Sequence, residues 1–315
     1  MKKFAHIVLM LLTAVWTAAA SEPENFIPRQ APGVIRADVN RMLTSPELKS
    51  AIDSSREIKN ILEKVENMLQ SSTDKKIKLS DLFSSQLWFA QTGRKLENFT
   101  AYSKTAVPEK ELHAAVSKNP NCRIVDAAGK KAVVYEQQSE KLVLVYLAED
   151  VMMISRMTSR LPQEITASLQ GGGNPLLSQV NRNTLAAGAV DMAKASGKRK
   201  PKVKFINAQL DADKAMNLAA QVSVRCKNSQ EALKMAMQIQ FAAPAAFGMY
   251  FSNDEKLAAA LSEGLQVVPQ DDAVIINYDL KFADFKKAVK YMSQSENLPR
   301  REQVKGSGSK RKKQK

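Results

Sequence analysis

The chain has 315 residues, of which 44% are hydrophobic and 25% are charged, and its formal net charge is +15. This composition excludes collagen-like, disulfide-scaffold and wholly disordered chains, and the length predicts about two domains. Two cysteines cannot form an all-cysteine zinc site, and two histidines leave few routes to histidine-based catalysis.

Residues 1–20 have the pattern of a secretory signal peptide. Lys2 and Lys3 give it a positive start, residues 4–16 are nearly all apolar, and Ala18 and Ala20 fit an A-x-A cleavage site. We therefore expect an exported protein, located in the periplasm or cell envelope of a bacterium. The alternative is that the segment stays attached as an N-terminal anchor.

Export changes the interpretation of the two cysteines. Cys122 and Cys226 would lie in an oxidising compartment, where a disulfide can persist. The sequence allows this pair to form a disulfide, and it equally allows two separate buried thiols.

Residues 21–170 are predicted to form a first α+β half. Its predicted strands are 34–39, 87–91, 99–107, 122–125, 132–135 and 142–147, and its predicted helices start at Pro46, Pro108 and Pro162. The first of these helices carries one apolar stripe from Leu48 to Leu69. That stripe could be a coiled-coil seam, but packing against a sheet is the favoured interpretation.

Residues 171–176 are predicted to be a linker, because three glycines followed by Asn-Pro oppose both helix and strand. A second α+β half is predicted over 177–299, with a disordered basic tail over 300–315. The second half has predicted strands at 184–192, 203–210, 218–226, 265–268 and 274–278, and helices at 229–241, 245–261 and 282–292. We place Pro244 at the head of the middle helix.

The two halves show a similar local pattern. Residues 98–102 and 217–221 each lead through a strand into a helix, which carries Glu111-Leu112 in one case and Glu231-Ala232-Leu233 in the other. This order of elements resembles exported bacterial proteins of unknown function that are built from two similar α+β halves. The likeness of the two segments indicates an internal duplication, and we predict that each half is a mostly antiparallel sheet with helices packed on one face. It carries no catalytic residue to this chain.

The sequence offers little catalytic chemistry. Zinc-protease, nucleophile-elbow, P-loop and dinucleotide motifs are absent. Asp211, Asp213 and Asp271 could serve a metal or a hydrolase, but each falls where strands are expected to turn, a position that favours aspartate for structural reasons. The sequence therefore predicts no catalytic residue, no metal site and no cofactor.

The positive charge is concentrated in two short segments. Residues 194–204 hold six basic residues and no acid, and residues 300–315 hold eight basic residues and one acid. When these two segments and the leader lysines Lys2 and Lys3 are set aside, the remaining residues have a formal net charge of zero. The residues predicted to contact polyanions are Lys198, Arg199, Lys200, Lys202, Lys310, Arg311, Lys312 and Lys313. The alternative for the tail is a solvated end that only aids solubility.

These observations favour a non-enzymatic binding or scaffolding protein of the cell envelope. Its basic segments would contact an anionic component, namely glycolipid, phospholipid headgroups or a wall polymer. The alternative is an envelope hydrolase whose acidic residues converge from separate loops. A protein partner or self-association through the helix around Leu62 is a third hypothesis, and sequence-specific nucleic-acid binding is not expected.

Overall fold

The computed structural model describes residues 22–46, 79–83, 86–92, 99–137, 140–197, 201–213 and 217–295. Its strands are β1 (Gly33–Asp38), β2 (Gln86–Gln91), β3 (Phe99–Lys104), β4 (Cys122–Ala127), β5 (Lys130–Gln137), β6 (Glu140–Tyr146), β7 (Val151–Arg156), β8 (Ala186–Asp191), β9 (Val203–Ala212), β10 (Asn217–Cys226), β11 (Leu265–Gln270) and β12 (Ala273–Lys281). Its α-helices are α1 (Val39–Thr44), α2 (Leu79–Leu82), α3 (Glu109–Val116), α4 (Leu161–Gln170), α5 (Met192–Ser196), α6 (Ser229–Tyr250), α7 (Glu255–Glu263) and α8 (Phe282–Ser295). The predicted α+β class is confirmed.

All twelve strands belong to one sheet, in the order β11-β12-β10-β9-β8-β1-β2-β3-β7-β6-β5-β4. Every pair of neighbours is antiparallel. Strands β1–β7 occupy one side of the sheet and β8–β12 the other, and the two sides meet where β1 pairs with β8. On each side the first three strands pair in sequence, and after one or two helices and further strands the last strand pairs beside the third: β7 beside β3 and β12 beside β10. The internal duplication itself stays a prediction.

A buried polar cluster lies at the junction of the two sides. Arg36 of β1 is 1% exposed, and its guanidinium donates to the Thr184 carbonyl at 2.6 Å. Arg36 is the cross-strand partner of Trp88, over whose ring the Arg182 guanidinium lies at 6.0 Å. Arg182 also pairs with Glu24 at 3.0 Å. Because Arg36 and Trp88 are almost fully buried, these contacts tie the N-terminal segment and the start of β8 to one place on the sheet.

The β1–β7 side is covered on both faces. Alternate residues of β5 and β6 point to opposite faces, so Val134 belongs to a cluster with Leu161 of α4, whereas Tyr135 belongs to a cluster with Leu112 of α3. The sequence predicted helices on a single face. The face opposite α3 is covered by α4 together with the N-terminal segment, whose Ile27 is fully buried in the same cluster as Leu161.

The β8–β12 side has its helices on one face. Helices α6, α7 and α8 pack there, with Ala232, Leu257 and Ala288 buried against the strands and one another. The opposite face carries a row of amides, in which Gln221 bonds Gln209 at 3.2 Å and Asn277 at 2.9 Å. This half therefore has the one-sided arrangement that alternation of apolar and polar residues favours.

The glycine-rich segment after α4 packs on the N-terminal segment. Gly171 has φ of +54°, and a Cβ at that position would lie 2.4 Å from the Asn25 carbonyl oxygen. The next residue, Gly172, donates its amide to the same carbonyl at 3.2 Å. Only glycine permits this close backbone approach, which explains the glycine-rich sequence at the point where the chain leaves α4.

Several predicted boundaries were wrong. Strand β7 was not predicted, and α6 runs as one helix from Ser229 to Tyr250 with Pro244 inside it. The break falls instead at Phe251, and Asp254 caps α7 by accepting from the Leu257 amide at 3.0 Å. The predicted helix with the stripe from Leu48 to Leu69, including Leu62, lies outside the described residues.

Candidate functional site

The described part of the basic segment 194–204 includes the start of strand β9. Lys202 is exposed between Pro201 and the first residue of β9. The backbone amide of Lys227 donates to the Lys202 carbonyl at 2.9 Å, so these two lysines lie side by side. The other predicted polyanion-binding residues, Lys198, Arg199, Lys200, Lys310, Arg311, Lys312 and Lys313, lie outside the described residues.

One carboxylate at this end serves two cations. Lys204 Nζ lies 3.9 Å and Arg225 Nε 3.7 Å from the carboxylate of Asp272. The side chains of Lys204 and Arg225 are 50% and 63% exposed, so water screens both ion pairs and each contributes little stability. Within the described ranges, Lys202 and Lys227 form no ion pair. Both side chains are exposed.

The structure keeps the two cysteines apart. Both are free thiols, and Cys122 lies in the outermost strand β4 whereas Cys226 lies in β10, nine positions away in the sheet. At about 4.8 Å per strand the separation is on the order of 40 Å, and a disulfide needs Cα atoms roughly 6 Å apart. Burial raises the pKa of Cys122 to about 11. The disulfide that the sequence allowed is not formed.

Of the aspartates weighed for hydrolysis, Asp211 lies near the end of β9 and Asp213 directly follows that strand, whereas Asp271 lies between β11 and β12. Asp211 accepts a 2.7 Å bond from Arg41, and Asp213 accepts from the backbone and side-chain nitrogens of Asn217 at 2.8 and 2.9 Å. Asp271 lies at the opposite end of β10, about 30 Å away by strand length. Across the described ranges, no group of three or more histidine, cysteine, aspartate or glutamate residues could hold a metal ion.

A cleft of about 270 Å³ lies between the N-terminal segment and α4. On its floor the Tyr102 hydroxyl lies 2.9 Å from Ser168 Oγ, and Glu164 at its wall accepts from Ser155 at 3.2 Å. Burial raises the pKa of Tyr102, which keeps the phenol protonated. These groups satisfy one another and stabilise the position of α4 on the sheet.

Helix α6 carries the three most exposed large apolar side chains of the described structure. Large apolar side chains that normally lie in a core are between half and four-fifths exposed there. They are Leu233 (50%), Met237 (51%), Phe241 (77%), Met249 (81%) and Tyr250 (73%). Leu233, Met237 and Phe241 recur at four-residue steps, which places them in one row along the helix.

The inner face of α6 explains why this row stays outside. Ala232 and Ala236 are buried against Val224 and Val274 of the sheet. Small alanines let the helix lie close to the strands and fix its rotation. Leu233, Met237 and Phe241 then turn progressively away from this packed face, and Tyr250 is exposed at the last residue of the helix.

The apolar surface continues beyond Phe241. Residues 235–252 contain no charged side chain, and the exposed positions between Phe241 and Met249 are Ala242, Pro244, Ala245 and Gly248. We call the exposed apolar residues of α6 from Leu233 to Tyr250 the α6 patch; Lys234, Gln238 and Gln240 are exposed polar residues among them. A contiguous apolar patch on a protein surface marks an interaction site. Within the part of the chain that the structure describes, no helix is long and apolar enough to cross a membrane.

Sequence reasoning missed the α6 patch. It assigned two helices separated at Pro244, so the residues on either side were not placed on one face. The available signal was the run of eighteen uncharged residues from 235 to 252, with glutamines on some turns and large apolar residues on others.

Comparison with known proteins identifies a similar fold. No family model matches the chain, and no curated protein matches it in sequence. Among solved structures, crystal form I of TP0453 superposes with a TM-score of 0.50 over 87% of this chain and 98% of that chain, at 11% sequence identity. At this identity the similarity shows the fold alone.

Proposed function

We propose that the protein is an exported, non-enzymatic protein that binds the surface of an anionic lipid bilayer. The α6 patch enters the interfacial region of the bilayer, and the basic segments contact the headgroup phosphates. The observation that carries this proposal is the exposure of Phe241, Met249 and Tyr250, each more than 70% accessible on a helix whose inner face is already packed.

The apolar area is large enough to matter energetically. Burying a large apolar side chain is worth about 1.5–3 kcal/mol, and the patch offers five that are at least half exposed. A helix lying in the membrane interface buries one apolar face in this way and keeps its polar face in contact with water or protein. In α6 the face opposite the membrane would contact the protein's own sheet, because Ala232 and Ala236 pack against it.

The basic charge lies next to the patch. Lys227 comes just before Asn228, which caps α6 by accepting from the Glu231 amide at 2.9 Å. Leu233 lies four residues after Ser229, the first residue of α6, about 6 Å along the helix axis. Each lysine or arginine close to an anionic membrane surface contributes about 1 kcal/mol. The charge therefore supplements insertion at the end of α6 where the apolar row begins.

The predicted leader supports the same location. Lys2, Lys3 and the apolar run before Ala20 have the pattern of an export signal, which would deliver the chain to a compartment bounded by lipid surfaces. A bilayer is favoured over a soluble polyanion because a polymer or nucleic acid would engage the lysines but leave the α6 patch in water.

Co-sedimentation with vesicles tests the proposal. The chain over 21–315 is expected to sediment with vesicles that contain phosphatidylglycerol and to remain mostly in solution with pure phosphatidylcholine. Binding should weaken when salt rises from 50 to 500 mM without disappearing, because insertion is not screened. Equal binding to both vesicle types would contradict the electrostatic part. Binding to a soluble polyanion with no binding to vesicles would contradict the membrane assignment.

A further inference from the structure

Two of the five large side chains of the α6 patch are methionines. Met237 is 51% and Met249 is 81% exposed, whereas Met152 and Met153 in strand β7 are fully buried. A thioether reacts with peroxide only where the oxidant can reach the sulfur. The fold therefore separates accessible methionines on the patch from protected methionines in the core.

We propose that Met237 and Met249 form an oxidation site that releases the protein from the bilayer, an inference that rests on the proposed membrane binding. The oxidant is a hydroperoxide. The methionine sulfur attacks one peroxide oxygen, so that an S–O bond forms and the O–O bond breaks. The sulfur loses two electrons to become a sulfoxide, and the other oxygen takes up a proton and leaves as water or an alcohol.

The position of the two sulfurs gives this reaction its effect. Met237 precedes Phe241 by one helical turn, and Met249 follows it by about two turns. A sulfoxide is polar, and burying it in the interface costs free energy that burying a thioether does not. Oxidation at both positions would place a polar group on each side of Phe241. We expect vesicle affinity to fall roughly tenfold for each sulfoxide.

Exposure and membrane contact can be measured separately. In the first measurement, the protein over 21–315 is treated with hydrogen peroxide, and each methionine is followed by peptide mass spectrometry. Met237 and Met249 should be oxidised at least ten times faster than Met152 and Met153. Addition of phosphatidylglycerol vesicles should slow the oxidation of the two patch methionines and leave the core pair unchanged.

In the second measurement, vesicle affinity is compared before and after peroxide. The parent should lose affinity and regain it on treatment with methionine sulfoxide reductases, which reverse the reaction. For the double variant Met237→Leu/Met249→Leu, the vesicle affinity after peroxide is compared with the affinity of the same variant before peroxide. The two values should be equal.

The outcomes separate the two ideas. Absence of vesicle binding before peroxide would overturn the proposed function and this inference together. Binding that survives complete conversion of Met237 and Met249 to sulfoxides would overturn the inference alone. Equal loss of binding in the double leucine variant would also overturn it, since the damage would then lie elsewhere in the chain.

Discussion

Shortening Phe241 to alanine should weaken binding to anionic vesicles without weakening the fold. Full burial of a phenylalanine side chain is worth about 1.5–3 kcal/mol, and 77% of this residue is exposed, so insertion can contribute about 1–2 kcal/mol. That range corresponds to roughly 5- to 30-fold in the dissociation constant. Because the ring makes few contacts in the folded protein, the thermal midpoint should stay almost unchanged.

The matched control for Phe241→Ala is Ile124→Ala. Ile124 is also exposed, at 42%, but it lies in β4 at the far side of the sheet from α6. Titration of each variant with phosphatidylglycerol vesicles gives the two dissociation constants. Equal affinity for the parent and Phe241→Ala, or an equal loss in Ile124→Ala, would refute insertion of the α6 patch.

Three further predictions concern the fold. Gly264→Ala should lower the free energy of unfolding by about 2–3 kcal/mol, because the added Cβ would clash with the Asp279 carbonyl oxygen. The control Gly248→Ala should not lower it, because no atom lies within 4 Å of the added Cβ. Equal denaturant midpoints for the two variants would contradict this prediction. Burial raises the pKa of Tyr146 to about 12, so the stability that its protonated form provides below pH 10 should be lost as pH rises to 12. In chemical denaturation, the free energy of unfolding of Tyr146→Phe should fall between pH 10 and pH 12 by about 1–2 kcal/mol less than that of the parent. An equal fall in the two proteins would contradict this assignment. Without reductant, the unfolded protein should titrate as two free thiols, and Cys122 in the folded protein should react slowly at pH 8; a titre of zero would contradict the separated cysteines.

Local patterns predicted the elements that are defined by their own sequence. The β9–β10 and β11–β12 hairpins have the alternation and polar turns that favour such pairs, and both are confirmed with nearly the expected bounds. Strand β7 was missed although Val151–Ser155 is a short apolar run after the turn at Glu149 and Asp150. Such a run does not distinguish a buried strand from a helix segment by periodicity.

Long-range pairing could not be predicted in the same way. The bond pattern that joins β1 to β8 brings together residues more than 150 positions apart, such as Ile35 and Gly188. Each strand has a sequence that would pair with many others. The separation of Cys122 and Cys226 depends on this same order of strands, and the spacing of the cysteines gives no information about it.

The α6 patch was missed because a proline was given too much weight. Pro244 lacks the amide that would bond the Gln240 carbonyl, which favours a helix end nearby. The structure accommodates it within α6, where both residues are exposed and water can satisfy that carbonyl. Once the helix is continuous, Phe241 and Met249 fall on one outward surface.

The most direct test of membrane insertion uses tryptophan fluorescence. After removal of the leader, Trp88 is the remaining native tryptophan, and it is fully buried. In Phe241→Trp, vesicles with brominated acyl chains should quench the emission of the introduced indole, while Trp88 in the parent should be unaffected. Bound Phe241→Trp protein whose emission is the same in brominated and unbrominated vesicles would contradict insertion of α6.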